Sequence, residues 1–276
     1  MSPSPDLPPA SGRALAVAVA AARIAGTVAR ERLGRVEDIR RKSARDVVTE
    51  VDHVAERLII EEIRRSFPDD AILAEESGEQ AARGGASATG GRGRVWIVDP
   101  LDGTVNYANG IPIFCVSVGL AVDGRPAVGA VLDPVRDELF TALRGHGARL
   151  DGRPIRNPDK EELADYVIGL GYPPHDWPSD FGPLRRSVRA SRHLGTAALE
   201  LCYAGAGRLD AFLLPSGMSN WDVAAAGLVA EEAGLRVTTL RGEEWFDLSR
   251  PPTSIGLLAA PPRHHDRLLG LFAASG

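Results

Sequence analysis

The chain has 276 residues, of which 44% are hydrophobic and 25% are charged, and its formal net charge is -5. These proportions are typical of a globular protein with one large domain or two closely packed halves. The negative charge gives no electrostatic case for nucleic-acid binding, although an acidic protein can bind phosphate where a metal supplies positive charge. Cys115 and Cys202, the only cysteines, lie in apolar stretches and are interpreted as buried thiols of a reducing compartment, which predicts a cytoplasmic protein.

The N-terminal region combines a polar tail with an apolar segment. Residues 1–11 are rich in proline and serine, which predicts a disordered tail. Residues 14–22 are small and apolar, so a signal peptide is conceivable. The pattern continues through Arg23 and Arg30 without a cleavage-like boundary, which favours an amphipathic first helix. No stretch approaches the roughly 20 apolar residues of a membrane span, so no membrane association is expected.

Apolar periodicity predicts two halves, at 12–158 and 159–276. In the first half we predict helices over 14–33 and 52–67, an extended segment over 42–51, and antiparallel strands over 71–74, 95–98, 114–122, 125–132 and 138–143. The stretch 77–94 is rich in Gly, Ala and Ser and is predicted to be a mobile surface loop. The second half alternates strands at 166–170, 191–194, 211–214, 236–239 and 254–259 with helices at 180–189, 196–206, 222–233 and 262–273. This alternation indicates layered α/β structure.

The most informative stretch is an apolar run at 95–98 that leads into Asp-Pro-Leu-Asp-Gly-Thr at 99–104. A strand that stops here delivers Asp99 to the end of the sheet, and a turn stiffened by Pro100 brings Asp102 back toward it. Two carboxylates this close repel unless a cation lies between them, and an all-oxygen site favours Mg²⁺ or Mn²⁺ over zinc. The alternative is an Asp-rich turn that only caps a helix.

Two further carboxylates lie at similar positions. Glu75 follows a short apolar run, and Asp222 opens a helix of small residues. Each alone could belong to a solvated turn or a helix N-cap. Together with Asp99 and Asp102 they supply enough acid to hold two cations close together, the arrangement used for phosphoryl transfer to water.

These segments closely resemble the inositol monophosphatase family of Mg²⁺-dependent, lithium-sensitive phosphatases. The resemblance rests on Asp-Val-Val-Thr-Glu-Val-Asp at 46–52, Glu-Glu-Ser at 75–77, the motif at 99–104 and Trp-Asp at 221–222, and it runs through nearly the whole chain. It implies an α/β (α+β) fold, the five-layered αβαβα sandwich. It also implies a homodimer that hydrolyses a small phosphorylated polyol or sugar with two to three Mg²⁺ ions, with Mn²⁺ possible.

The resemblance assigns the metal ligands. Metal one would be bound by Glu75, Asp99 and the main-chain carbonyl of Leu101. Metal two would be bound by Asp99, Asp102 and Asp222, and lithium would occupy this position. A third, weaker metal would use Glu75 and water.

The resemblance also assigns the catalytic and phosphate contacts. Asp52 and Thr104 would hydrogen-bond and orient the attacking water, together with Glu75. The amides of Gly103 and Thr104 would point at the phosphate, as at a helix N-terminus. Asp52 otherwise reads as the N-cap of its helix, and both readings can hold. Asp46 and Thr49 would support this segment, and Lys42 is a candidate phosphate contact that could equally be solvated.

Substrate recognition is the part of the chain that departs from the family. By resemblance the substrate contacts are Asp102, Gly195, Thr196, Ala197 and Asp222. In inositol-specific members a glutamate lies seven positions before the aspartate of Trp-Asp, and here that position is Pro215. Proline cannot accept a hydrogen bond from a ring hydroxyl through its side chain, so the substrate is open. Ser216, Ser219 or Asn220 could contact a different polyol, sugar or nucleotide, or a shifted loop could supply the same contact.

Other functions remain open on this sequence. The same chemistry would serve a 3′,5′-bisphosphonucleotidase, a fructose-1,6-bisphosphatase or a histidinol-phosphatase. A non-catalytic regulatory protein on this fold, such as a partner of a transcription complex, belongs to a different class, and the intact carboxylates argue against it. No Gly-x-Ser-x-Gly segment supports a covalent serine mechanism, and the six histidines show no zinc-like spacing.

Overall fold

Two β-sheets and three layers of helices form the fold of the computed structural model, which describes residues 10–35, 38–41, 47–82, 88–90, 93–171 and 181–274. The helices are α1 (Ala10–Arg32), α2 (Glu50–Ser66), α3 (Thr104–Ala108), α4 (Gly182–Ser187), α5 (Ala197–Gly205), α6 (Asn220–Glu232) and α7 (Pro262–Ala273). The strands are β1 (Ile39–Arg41), β2 (Val47–Thr49), β3 (Ala71–Ala74), β4 (Gly78–Gln80), β5 (Arg94–Asp102), β6 (Cys115–Val122), β7 (Arg125–Asp133), β8 (Glu138–Leu143), β9 (Ala148–Leu150), β10 (Arg153–Ile155), β11 (Val167–Leu170), β12 (Ala190–Arg192), β13 (Ala211–Met218), β14 (Arg236–Thr239) and β15 (Ile255–Ala260).

The large sheet has the strand order β10-β9-β8-β7-β6-β5-β3-β4, and the small sheet has the order β12-β11-β13-β15-β14. Pairing in the large sheet is antiparallel except between β3 and β5, which run parallel, so the predicted antiparallel arrangement is wrong for this pair. The small sheet mixes parallel pairs at β11 with antiparallel pairs at β15. β1 and β2 form a separate antiparallel pair.

Helices cover both faces of each sheet. α1 and α2 pack together on one face of the large sheet. α5 and α6 fill the space between the two sheets, where buried side chains from both halves of the chain form a shared core. α4 and α7 cover the far face of the small sheet. The five layers therefore alternate α, β, α, β, α, and the predicted fold class is confirmed.

Helix α1 is a core helix of this fold. Its segment Ser11–Arg32 is long and apolar enough to cross a membrane by length and composition, so the expectation that no stretch approaches a membrane span is wrong on that measure. However, Ala18, Ala21 and Ala25 are fully buried and pack in one cluster with side chains of α2 and the large sheet. The apolar face of α1 therefore packs in the protein core, as it does in many long apolar helices of proteins without membrane spans.

The structure corrects several predicted boundaries in the first half. β5 does not stop at Val98 but continues through Asp102. The predicted loop at 77–94 contains β4, which pairs with β3, while residues 83–87 and 91–92 lie outside the described part of the chain. β9 and β10 pair around a turn in a region where no strand was predicted, because the strands are three residues long and carry little periodic signal.

Candidate active site

Strand register brings Glu75 and Asp99 to the same edge of the large sheet. β3 and β5 are parallel, and Ala74 pairs with Val98. The next residue on each strand is therefore Glu75 beside Asp99, and the main-chain N–H of Glu75 donates to the carbonyl of Val98 at 3.1 Å. The carboxyl ends of parallel neighbours meet at one edge of a sheet, which is why two separate apolar runs deliver their acids to one place.

A β-bulge, rather than a turn, brings Asp102 to Asp99. On β5, Asp99 pairs with Ser117 and Asp102 pairs with Cys115, so three steps on one strand oppose two on the other. Residues three apart on a regular strand point to opposite faces of the sheet. The extra residue of the bulge places Asp99 and Asp102 on the same face. The predicted turn at Pro100 is wrong because the chain stays in the sheet, and proline is tolerated in strands at such bulges.

Gly103 turns the chain from β5 into the short helix α3. Its φ is +98°, and a Cβ there would lie 3.1 Å from the carbonyl oxygen of Ile113, so only glycine fits without strain. The following residue, Thr104, is buried, and its hydroxyl oxygen lies 3.2 Å from Asp52 Oδ1 and 2.9 Å from the carbonyl oxygen of Leu101. The sequence prediction that Asp52 and Thr104 meet, 52 positions apart, agrees with this geometry.

Two acids of the site lie in capping boxes at helix N-termini. α2 begins at Glu50 with Thr49 as its N-cap, and α6 begins at Asn220 with Ser219 as its N-cap. Asp52 and Asp222 are each the third helical residue, and each accepts a hydrogen bond from the main-chain N–H of its cap, at 2.9 and 2.6 Å. The prediction that these aspartates are N-caps is therefore wrong by three positions, because the preceding hydroxyl residue already caps the helix.

Three carboxylates converge, and the described residues that line their cavity include no Lys, Arg or His. Asp99, Asp102 and Asp222 each offer one oxygen within 4.8 Å of the others. The pKa of Asp99 is raised well above its ordinary value, first by burial and then by the negative charges of Glu75, Asp102 and Asp222. The pKa of Asp222 is raised well above its ordinary value for the same two reasons. A cation at this position would offset both causes, and carboxylate oxygens are the donors that Mg²⁺ and Mn²⁺ prefer.

The turn before α5 holds Asp102 in place. Asp102 Oδ2 accepts hydrogen bonds from the hydroxyl of Thr196 and, at 2.8 Å, from the main-chain N–H of Ala198. Thr196 is also the N-cap of α5, and it is only 2% exposed. Gly195 adopts a φ of +78° directly before it. The structure therefore brings Gly195 and Thr196, which were predicted as substrate contacts, to the carboxylates. The side chain of Thr196 donates a hydrogen bond to Asp102.

Glu200 anchors the same turn from within α5. Its Oε1 accepts the main-chain N–H of Leu194 at 2.8 Å, and its buried Oε2 has no hydrogen-bond partner among the described residues. Burial is the main cause that raises the pKa of Glu200 from 4.5 to about 7. The folded state therefore binds more protons than the unfolded state as pH rises from about 4.5 to about 7, and stability falls across that window.

We expect the variant Glu200→Gln to lack this loss of stability. Between about pH 5 and about pH 8, the free energy of unfolding of the wild type should fall by about 2 kcal/mol relative to that of the variant. Urea unfolding at the two pH values measures this difference. Glu61→Gln, at an exposed position of α2, is the control and should change in parallel with the wild type. A constant difference between Glu200→Gln and the wild type would contradict the prediction.

The acids line one cavity of about 610 Å³ at the edge of the large sheet. Its lining includes most of the residues that the sequence predicted: Glu75, Asp99, Leu101, Asp102, Gly103, Thr104, Gly195, Ala197 and Asp222. Asp52 is fully buried behind Thr104. Asp46 and Lys42 lie outside the described residues. Both cysteines are free and buried, as predicted.

Comparison with known proteins agrees with this arrangement. The sequence profile described as the inositol monophosphatase family matches residues 13–275. The chain belongs to the inositol monophosphatase family. It is 40% identical over 257 residues to a protein named Nus factor SuhB from Pasteurella multocida, covering 90% of this chain and 91% of that protein. It is 38% identical over 240 residues to inositol monophosphatase 2 of Solanum lycopersicum, covering 84% and 89% of the two chains.

Solved structures give the same relation at the level of the fold. The crystal structure of the extragenic suppressor protein suhB from Bartonella henselae is similar to this chain with a TM-score of 0.85 and 33% identity. The match covers 94% of this chain and 98% of that one. The inositol monophosphatase family fold is therefore present over nearly its full length.

Pro215, the position where the resemblance predicts a difference from inositol-specific members, lies on strand β13. Strand β13 has an irregular register between Leu214 and Met218. Pro215 lines a separate cavity of about 340 Å³ with Arg241 and other residues, whereas Leu214, Gly217 and Ser219 line the cavity of the acids. Of the three polar residues proposed to replace the glutamate, Ser219 is the one in the described lining of that cavity.

Two residues hold the acids of the site in place, and the sequence did not indicate this role for either of them. Thr196 was assigned to substrate, yet its hydroxyl bonds Asp102. Glu56, which no motif singled out, bonds the turn after Glu75. The hydroxyl-x-x-acid spacing at 49–52 and 219–222 is a capping-box signal that could have placed both helix starts correctly.

Proposed function

We propose that the protein is a Mg²⁺-dependent phosphomonoesterase that hydrolyses a small phosphorylated metabolite to an alcohol and inorganic phosphate. The observation that carries this proposal is the convergence of Asp99, Asp102 and Asp222, with one oxygen each within 4.8 Å, in an open cavity. Membership of the inositol monophosphatase family and the relatives named inositol monophosphatase support a phosphatase. A capping role accounts for the position of Asp222 but not for the convergence of Asp99 and Asp102 with it in one cavity.

The residues proposed to hold the cations are Glu75, Asp99, the carbonyl of Leu101, Asp102 and Asp222. Two to three divalent cations bound there would neutralise the phosphate charge, lower the pKa of water and stabilise the leaving oxygen. The donor set supports this assignment, since all the groups are oxygens and their mutual repulsion favours a cation. Mn²⁺ fits the same donors. Glu75 lies outside the group of three oxygens and would belong to the first and the weaker third position.

The remaining residues act on water and phosphate. The hydroxyl of Thr104 is held between Asp52 and the carbonyl of Leu101, so its oxygen is oriented to accept a hydrogen bond from the attacking water when it donates to Asp52. The main-chain amides of Gly103 and Thr104 face the start of α3 and would donate to phosphate oxygens. Asp52 thereby acts through Thr104, and Thr104 is the residue that touches the water.

The alcohol part of the substrate is proposed to be a small polyol or sugar that contacts Gly195, Thr196, Ala197, Asp102 and Asp222. Pro215 supplies no carboxylate, and Leu214 and Gly217 form that wall of the cavity. This wall supports weak discrimination among polyols, because no buried acceptor is lost when a ring hydroxyl is absent. A 3′,5′-bisphosphonucleotide, fructose 1,6-bisphosphate and histidinol phosphate remain alternative substrates for the same acids.

Phosphate release from a panel of phosphomonoesters tests this proposal. The panel contains inositol, sugar, nucleotide and histidinol phosphates, each with Mg²⁺ and with EDTA. We expect release that requires Mg²⁺ and that favours one compound class. A nucleotidase would favour adenosine bisphosphates by orders of magnitude over glycerol or inositol phosphates. Folded, metal-loaded protein that releases phosphate from no compound would contradict the proposed activity.

A regulatory role is a second candidate, and relatives named Nus factor SuhB favour it. Such a role would place the protein in a transcription complex, through protein or nucleic-acid partners. The variant Asp99→Asn separates the two functions. Co-elution with a purified transcription complex should survive this substitution if binding is independent of the acids, whereas hydrolysis should not.

Three further properties belong to the same proposal. We expect a homodimer, supported by family membership alone, and light scattering that shows a concentration-independent monomer would contradict it. We expect lithium to inhibit at the position of Asp99, Asp102 and Asp222, and inhibition that persists without these acids would count against that position. The two buried free thiols support a cytoplasmic location.

A further inference from the structure

Glu56 is a buried acid that the proposed chemistry does not use. It lies on α2 one turn after Asp52 and is only 4% exposed. Side chains four positions apart lie on the same face of a helix, so both acids point toward the large sheet. A carboxylate is costly to bury unless strong hydrogen bonds satisfy its oxygens. The partners of Glu56 therefore indicate why it is there.

Both oxygens of Glu56 bind the turn that follows Glu75. Glu56 Oε2 accepts the main-chain N–H of Glu76 at 2.8 Å, and Oε1 accepts the main-chain N–H of Ser77 at 2.9 Å. The two donors are consecutive amides, so one side chain fixes the direction of the chain at this point. The hydrogen bonds are charge-assisted and therefore stronger than neutral ones.

Main-chain pairing also holds both ends of this turn, since Ala74 on β3 pairs with Gly78 on β4. On its N-terminal side, the N–H of Glu75 donates to the carbonyl of Val98 on β5. On its C-terminal side, the chain enters β4, a three-residue strand at the edge of the large sheet. Glu56 thus supplies the attachment on the helix side of the turn.

We propose that Glu56 is a positioning residue that fixes the main chain at Glu76 and Ser77 and thereby holds Glu75 beside Asp99. The inference rests on the proposed function, in which Glu75 is a metal ligand. It makes α2 a common support for the site. Asp52 orients Thr104 on one side, and Glu56 sets Glu75 on the other.

The variant Glu56→Gln tests the positioning role. The amide keeps one acceptor oxygen but turns an NH₂ group toward a main-chain N–H, so one of the two hydrogen bonds is lost. Residues that support a metal ligand typically change metal affinity by about tenfold or more when replaced. We expect the dissociation constant for Mn²⁺, measured by isothermal titration calorimetry, to rise about tenfold. At saturating Mg²⁺ the kcat should stay near that of the wild type.

Amide hydrogen exchange supplies a readout that does not depend on metal. Peptides that cover residues 75–77 should exchange faster in metal-free Glu56→Gln than in metal-free wild type. Glu61→Gln, at an exposed position on the same helix, is the matched control and should match the wild type in both measurements. Glu56→Asp keeps the charge but shortens the side chain, and the same outcomes are expected from it if the glutamine variant does not fold.

Two results would overturn the proposal. Unchanged exchange at 75–77 would show that Glu56 does not hold the turn. Faster exchange with unchanged Mn²⁺ affinity would show that the contact is structural only. Failure of the wild type to bind Mn²⁺ would instead reject the proposed function, and with it the reason to position Glu75, while the exchange data would still report on the contact itself.

Discussion

Replacement of Asp99 by asparagine should lower Mg²⁺-dependent phosphate release by about a thousandfold or more. Asp99 is 1% exposed, and the negative charges of Glu75, Asp102 and Asp222 all act on it. The substitution removes one full negative charge from the proposed cation site and keeps the volume of the side chain. A loss of about 4 kcal/mol of transition-state stabilisation corresponds to this change in rate.

The thermal stability of the metal-free protein, unlike its activity, should not fall on the same substitution. In metal-free protein, Asp99→Asn relieves repulsion among buried acids, so its melting temperature should equal or exceed that of the wild type. Added Mg²⁺ should then stabilise the wild type but not the variant. Asp266→Asn, at an exposed position of α7, is the control for general effects of lost charge. Retained Mg²⁺-dependent activity in Asp99→Asn would contradict the assignment of the metal site.

Replacement of Thr104 by valine should lower kcat by about a hundredfold while the Mg²⁺ concentration for half-maximal activity changes little. Valine keeps the shape of threonine but removes the hydroxyl that lies 3.2 Å from Asp52 Oδ1. A positioned group that takes part in proton transfer contributes about 10²- to 10⁴-fold to a rate. Initial rates over a matrix of substrate and Mg²⁺ concentrations separate kcat from metal affinity.

Thr104→Ser is the matched control for this prediction. Serine retains the hydroxyl, so its kcat should lie within a few-fold of the wild type, as expected for a role carried by that one oxygen. Asp52→Asn should also lower kcat, because its amide has a single acceptor oxygen in place of the two carboxylate oxygens that accept from Thr49 and Thr104. If Thr104→Val and Thr104→Ser have equal kcat values, the hydroxyl has no part in the chemistry.

Local signals in the sequence predicted that Glu75 and Asp99 follow strands, but they did not predict that these two strands pair in parallel. Apolar runs before Glu75 and Asp99 indicated buried strands, and parallel pairing then brings their ends together. The motif at 99–104 also indicated that Asp102 is near Asp99, but for the wrong structural reason. A β-bulge leaves no distinct signal in a single strand, since it is defined by the partner strand that it faces.

Long-range contacts account for what the sequence could not predict. Thr196 binds Asp102 across 94 positions, and Glu56 binds Glu76 across 20. Neither pair has a periodicity or a spacing that links its members, so only the packed structure joins them. The N-caps Thr49 and Ser219 could have been predicted from the sequence, because a hydroxyl residue three positions before an acid is a local signal.

One fold can host different functions, and the relatives of this chain include proteins named inositol monophosphatase and proteins named Nus factor SuhB. The two roles use different parts of the molecule in our proposal. Hydrolysis requires the acids of the cavity, whereas partner binding would use a surface that the substitution Asp99→Asn leaves unchanged.

The most direct test of the central claim is phosphate release by metal-stripped protein as Mg²⁺ is added back. The account predicts no release in EDTA, release that saturates with Mg²⁺ on at least one phosphomonoester, and loss of that release in Asp99→Asn. Equal release with and without Mg²⁺, or Mg²⁺-dependent release that persists in Asp99→Asn, would contradict the claim that these carboxylates form a catalytic metal site.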